Sequence, residues 1–139
     1  MKRPESDLHN RYGQLVNALG PSVSIVTDDR MNVKEKNPLD IEHLIPHRGP
    51  SRLIDRILRA DRDHLEALSL VKETWPLCSS QGVYIILGIE VIAQAAAALN
   101  GYRKGWQEQP TVGLLVGVKE ARFYGQYLPL KATLITGVN

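Results

Sequence analysis

The sequence predicts an α+β domain in which one long helix lies against a curved antiparallel sheet. Residues 83–99 form the most apolar run of the chain. Ala93, Ala95, Ala96, Ala97 and Ala98 are strong helix formers, which sets a helix over residues 87–102, with Gly101 and Gly105 near its end. That helix is apolar on nearly every face, the pattern of a helix enclosed by other structure. Around it, residues 22–27, 111–118 and 132–138 are rich in β-branched residues and read as strands, with 111–118 a buried one.

The remaining elements follow in chain order. Residues 1–39 are polar and mixed, and form an unassigned N-terminal extension to a domain spanning 40–139. Within the extension, residues 15–19 suit a helical turn ended by Gly20-Pro21, and Asp28-Asp29-Arg30 reads as a turn. Asp40 is placed to N-cap a short turn through residues 41–45. Pro46-His47-Arg48-Gly49-Pro50 is a stiff bend. Leu53, Ile54, Ile57 and Leu58 have helical spacing, yet Gly49-Pro50 and Asp61-Arg62-Asp63 bracket them in a way that suits a hairpin arm returning through 64–72. Residues 74–81 form a loop, and residues 119–129 a connection holding Arg122, Phe123, Tyr124 and Tyr127.

Composition narrows the function classes. The chain has 139 residues, of which 43% are hydrophobic and 23% charged, as in a single globular domain. Lys and Arg total 17 against 15 Asp and Glu, a net charge of +2 that argues against nucleic-acid or anionic-membrane partners. Cys78 is the only cysteine, so no internal disulfide forms, which fits a reducing, cytoplasmic setting. No nucleophile signature surrounds it, and a free cysteine is usually buried as a small hydrophobe. The first residues lack the apolar stretch of a secretory signal. Glu90 and Gln94 interrupt the apolar run, where a charge in lipid would cost about 2.5–3.5 kcal/mol. No phosphate loop, repeat or metal-ligand spacing is present.

Few side chains remain to carry chemistry. Glu90 is a carboxylate one turn before Gln94, so the two share a helix face. Its burial would demand a hydrogen bond, an ion pair or a proton, and would raise its pKa toward that of a general acid. A structural ion pair with a neighbouring arginine is the plain alternative. His47, on the proline-stiffened bend, is a candidate base, although a loop histidine is often only structural. His9, His43 and His64 are weaker candidates. Arg48, Arg52, Arg56, Arg59 and Arg62 form either a solvated, salt-bridged face or a docking surface for an acidic carrier protein or a phosphate. Free amides near residues 86–89, at the helix start, could stabilise an oxyanion, and Gly88 would admit a substrate close to that backbone.

Three of these segments, in this order, resemble the hot-dog-fold 3-hydroxyacyl-acyl-carrier-protein dehydratases over residues 41–138. The first is Ile45-Pro46-His47-Arg48-Gly49-Pro50 with Leu53-Ile54-Asp55-Arg56-Ile57-Leu58. The second is Glu90-Val91-Ile92-Ala93-Gln94. The third is Glu120-Ala121-Arg122-Phe123 with Pro129 beyond. Gly88-Ile89-Glu90 with His47-Arg48-Gly49-Pro50 looks most like a divergent branch, the predicted dehydratases of aryl-polyene and related polyketide or fatty-acyl clusters. The resemblance decides residues 53–58 as strand. It implies a long central helix wrapped by an antiparallel sheet, pairing of two protomers edge to edge, and a 3-hydroxyacyl thioester on acyl carrier protein as substrate. It implies no metal or redox cofactor, the substrate being held on phosphopantetheine.

In that family a histidine of one protomer and a carboxylate of the other act together. The carboxylate carries over to Glu90, with Gly88, Ile89 and Gln94 expected beside the substrate. The family's loop histidine should fall near residues 74–82, and no histidine occurs there, so His47 is the candidate replacement. Tyr84-Ile85 stands where the family has Pro-Gly. The chain also stops in what should be the second strand after the helix. The expectation is that the chain is a fragment truncated at the C-terminus, that it borrows the family's further strands from a partner, or that residues 22–27 fill part of the gap. Two other readings keep the same binding site. One is a hot-dog thioesterase in which Glu90 activates water. The other is an inactive carrier-binding or dimer-partner subunit, in a homodimer or with a related hot-dog chain.

Overall fold

The computed structural model of the protein describes residues 21–26, 40–105, 113 and 115–139. The expected turns at 15–19 and 28–30, and His9, lie outside them. Strand β1 spans Ser22–Val26 and helix α1 spans Ile41–Leu44.

Four strands make the main sheet: β1, β2 (Arg56–Ala60), β3 (Leu65–Leu70) and β7 (Thr133–Val138), in the order β1-β7-β3-β2 and antiparallel throughout. The hairpin β2–β3 turns at Asp61, whose Oδ1 accepts the amides of Asp63 and His64 at 2.9 and 2.8 Å. Asp55 fastens its open end, accepting from the Leu70 amide at 2.7 Å and from the Lys72 ammonium. Strands β3 and β7 pair from Leu65↔Val138 to Leu70↔Thr133. Their period of two sends Leu65, Ala67 and Ser69, with Val138, Thr136 and Leu134, to the buried face.

Over the sheet lies α2 (Gly88–Arg103), which also contacts α1. It buries Gly88, Val91, Gln94, Ala95, Ala98 and Leu99, a stripe in which small side chains bring helix and sheet close. Full burial of a residue such as Leu65 or Leu134 is worth about 1.5–3 kcal/mol. At Gly101 the approach is closest, since a Cβ there would sit 2.7 Å from the carbonyl oxygen of Leu44. This contact ties α1, and the bend that follows it, to the helix. The run Ile85–Arg103 is long and apolar enough by composition to cross a membrane, but its buried stripe faces protein, as in a core helix.

A second sheet, β4 (Cys78–Ser79), β5 (Gly82–Tyr84) and β6 (Tyr127–Leu128), sets the entry to α2. Gly82 has φ +128°, and a Cβ there would meet the Leu128 oxygen at 2.5 Å, so only glycine fits. The Ile85 amide donates to Gln126 O at 3.0 Å, and a 3₁₀ turn (Ile85–Leu87) runs directly into α2.

Four expectations change. Helix α2 is not enclosed all round: Ala96 and Asn100 are exposed, because an alanine-rich surface is tolerated in water and does not by itself mark burial. The run at 111–118, expected as a buried strand, is irregular where it is described. Leu115 is 58% and Val116 96% exposed, and Gly113 and Gly117 weaken any strand there. Leu53 and Ile54 are buried but precede β2, which starts at Arg56. Cys78 is exposed on β4 rather than buried. By contrast, residues 22–26 do form a strand, and it covers the edge of β7 in a register running from Ser22↔Gly137 to Val26↔Thr133.

Candidate active site

The site is built where the bend after α1 meets the first turns of α2. Asp40 N-caps α1, its Oδ1 accepting the Glu42 amide at 3.0 Å and its Oδ2 lying 2.8 Å from His43 Nδ1. The chain then turns through Pro46 and Pro50, with Ile45, Leu53 and Ile54 anchored in the core. A 3₁₀ turn (Gly49–Ser51) closes the bend. In it the Ser51 hydroxyl donates to Arg48 O at 2.7 Å and accepts the Arg48 amide at 3.4 Å.

Gln94 joins helix to bend. It is 1% exposed, and its amide is engaged at both ends. Oε1 accepts the Leu53 amide at 2.8 Å, while Nε2 donates to Ser51 O at 2.8 Å and to Glu90 Oε1 at 3.0 Å. The i, i+4 spacing thus places the two side chains together as expected, and Gln94 acts on Glu90 from within the protein. On its other side the same Glu90 Oε1 lies 3.4 Å from His47 Nε2. His47 Nδ1 is buried, with no hydrogen-bond partner among the described residues. The structure therefore brings His47, Glu90 and Gln94 of one chain into a single constellation.

The surroundings correct two expectations. Glu90 is not sealed in apolar surroundings: its side chain is 44% exposed and that of His47 31%, because the first turn of α2 lies at the open end of the helix. Glu90 is held by the Gln94 hydrogen bond, the nearby His47 and the positive end of the helix dipole. Nor is the amide of Gly88 free to bind an oxyanion, since the preceding 3₁₀ turn uses it against Ile85 O and Ile86 O. Gly88 itself is buried, yet a Cβ added to it would meet nothing within 4 Å, so space remains beside that backbone. Ile89, next in line, is half-buried.

Of the other candidates, His64 bonds Asn139 Oδ1 at 2.8 Å and lies 3.4 Å from Glu66, at the far end of the sheet. Arg52 pairs with Glu42 at 3.1 Å, Arg59 lies 3.8 Å from Asp61, and Arg103 donates to Arg62 O. Among the described residues no three His, Cys, Asp or Glu side chains gather where they could hold a metal ion. Sequence reasoning missed Ser51 and Leu53, whose backbone groups hold Gln94. Neither carries a local signal, because the contacts span 43 and 41 residues. Arg48, expected on a solvated, salt-bridged face or a docking surface, lies 3.8 Å from Glu42 and also donates its guanidinium to backbone carbonyls of the bend.

Comparison with known proteins identifies the family. Residues 39–139 match the family model ApeP-like, described as ApeP dehydratase. Over 102 residues the chain is 26% identical to a 3-hydroxyacyl-[acyl-carrier-protein] dehydratase FabZ of Streptococcus uberis, covering 70% of this chain and 71% of that protein. Over 105 residues it is 30% identical to a FabZ dehydratase of Chlamydia trachomatis, covering 67% and 69%. With one long helix, α2, on an antiparallel sheet, the chain has the hot-dog fold and belongs to the ApeP-like dehydratase family.

Proposed function

We propose that this chain dehydrates a 3-hydroxyacyl thioester, carried on acyl carrier protein, to the trans-2-enoyl thioester in fatty-acid or polyketide-like synthesis in the cytoplasm. The observation that carries the reading is the 3.4 Å approach of His47 Nε2 to Glu90 Oε1 within one chain, with Gln94 fixing the carboxylate. The chemistry needs one base and one acid. His47 Nε2 removes the α-proton, which the thioester carbonyl has already acidified. The electron pair forms the Cα–Cβ double bond and the Cβ–O bond breaks. Among the described residues both contacts of Glu90 fall on Oε1, which leaves Oε2 to protonate the departing hydroxyl to water. Transfer of the proton from Nε2 to the Glu90 carboxylate then restores both groups. Acid–base help of this kind contributes roughly 10²–10⁴ in rate.

The acyl thioester would lie beside Gly88 and Ile89, where the backbone leaves room. No metal or redox cofactor enters the scheme, because the thioester supplies the acidity. The carrier protein and a second hot-dog chain, identical or related, are the partners this reading implies. A thioesterase is the second reading, favoured by the solvent exposure of Glu90, which a hydrolytic water requires.

One experiment separates them. Purified protein and its Glu90→Gln variant are given a 3-hydroxyacyl thioester on pantetheine or carrier protein, and enoyl product and free thiol are followed together. Enoyl formation by the parent, lost in the variant, is expected. Thiol release without enoyl product moves the assignment to thioesterase. Silence from the folded parent refutes both and favours a partner subunit without its own activity.

A further inference from the structure

We propose that Arg48 is a positioning residue for the acid–base pair, holding His47 in register with Glu90. The inference rests on the dehydratase reading above. It is carried by a set of contacts that the family resemblance does not assign. The guanidinium donates from Nη1 to Ile45 O at 2.7 Å and to His47 O at 2.9 Å, and from Nη2 to Glu42 O at 2.7 Å. Its Nε lies 3.8 Å from Glu42 Oε2, and that carboxylate is shared with Arg52.

These bonds answer a local need. Helix α1 is four residues long, and its last carbonyls lack helical partners. Pro46 and Pro50 cannot donate, so the bend has few amides of its own to offer. A planar guanidinium with several donors reaches three carbonyls at once, which a lysine ammonium on a flexible stem cannot reproduce. Two of the three accepting carbonyls, those of Ile45 and His47, straddle the His47 backbone. Arg48 therefore fixes the dihedrals that aim the imidazole. Gln94 fixes the other half of the pair, holding Glu90 on one side and Ser51 and Leu53 on the other. The bend is thus gripped from outside by Arg48 and from inside by Gln94, and the distance between Nε2 and Oε1 is set between these two grips. Half of the Arg48 side chain is solvent-exposed, so its removal leaves no core cavity.

The test is a cycle on kcat and KM with Arg48→Lys and Arg48→Ala, each made in the parent and in a His47→Gln background. Arg59→Ala, which removes an exposed arginine elsewhere, serves as control. If misplacement is the cause, kcat falls roughly 10–100-fold for both Arg48 variants while KM stays within about twofold. In the His47→Gln background the same changes have no further effect, because the group they position is gone. A role in stability alone gives the same factor in both backgrounds. That result, a loss confined to KM, or full activity of Arg48→Lys overturns the proposal. Should Arg48→Ala fail to fold, Arg48→Lys, which keeps the charge, decides it. An inactive parent, or a His47→Gln variant as active as the parent, instead overturns the dehydratase reading and takes this proposal with it. The Arg59→Ala control is expected to match the parent.

Discussion

Replacing Gln94 tests whether one buried amide holds the site together. In Gln94→Ala the Leu53 amide loses its acceptor, and Leu53 is 1% exposed, so water cannot reach that group without opening the bend. An orphaned buried donor costs about 1–3 kcal/mol. The Ser51 carbonyl loses a donor as well, but Ser51 is exposed and its oxygen turns to water at little cost. The space left by the missing side chain adds to the loss, giving about 2–4 kcal/mol in all. Gln94→Glu keeps the acceptor for Leu53 and replaces the donor by a second carboxylate oxygen, facing Glu90 where the present contact is 3.0 Å. Two carboxylates at that distance cannot both ionise cheaply, so the introduced group holds its proton more tightly in the folded chain than in the unfolded one. A folded-state pKa raised in this way contributes stability at low pH that is lost as pH rises, so the deficit of Gln94→Glu relative to the parent grows above about pH 4.3. Chemical denaturation of the three proteins at pH 5 and pH 8 measures both effects. Gln94→Ala within 0.5 kcal/mol of the parent, or a Gln94→Glu deficit independent of pH, would refute the role given to Gln94 (both thresholds being about the error of such comparisons).

Three further outcomes follow from the geometry. Gly88→Ala meets nothing within 4 Å and gains helix propensity, so it is expected to raise stability by about 0.5–1 kcal/mol in urea unfolding while lowering kcat/KM by filling the space assigned to substrate. Gly101→Ala places a methyl group 2.7 Å from Leu44 O, and thermal unfolding is expected to report a loss of about 1–3 kcal/mol as α1 is pushed from α2. The amides of Asp63 and His64, with Arg59 nearby, hold the Asp61 carboxyl below its ordinary 3.8. The stability this provides is present above that value and is lost as pH falls through the depressed one. Asp61→Asn should therefore be less stable than the parent at neutral pH, and the two melting curves should converge in acid.

Much of this was readable in the residues. The alanine-rich run marks α2 to within one residue at either end, and the Glu90–Gln94 spacing places both on one face because the helical period demands it. Strands β1 and β7 follow from β-branched runs. What was not readable depends on contacts distant in sequence. Glu90 has apolar neighbours along the chain, but exposure is decided by where the helix ends, and its first turn lies open. Leu53 and Ile54 have the burial of core residues without strand geometry, because Gln94 rather than a neighbouring strand takes up the Leu53 amide. The apolar residues at 115–118 satisfy a strand pattern, yet pairing supplies what pattern cannot, and among the described residues no strand runs beside them. Arg48 is one of several arginines in the sequence, and only the path of the bend singles it out.

The central claim is that His47 and Glu90 of the same chain form the working acid–base pair. Mixing inactive variants tests it most directly. His47→Gln and Glu90→Gln are purified, assayed singly for enoyl formation, then mixed under conditions that exchange subunits and assayed again. A pair contained in one chain predicts that each variant is impaired roughly 10²-fold or more and that the mixture is no better than its components, since no chain in it holds both groups. A pair shared between protomers contradicts this: random reassortment would make half the dimers mixed, each with one intact site, and activity would return to about a quarter of the parent.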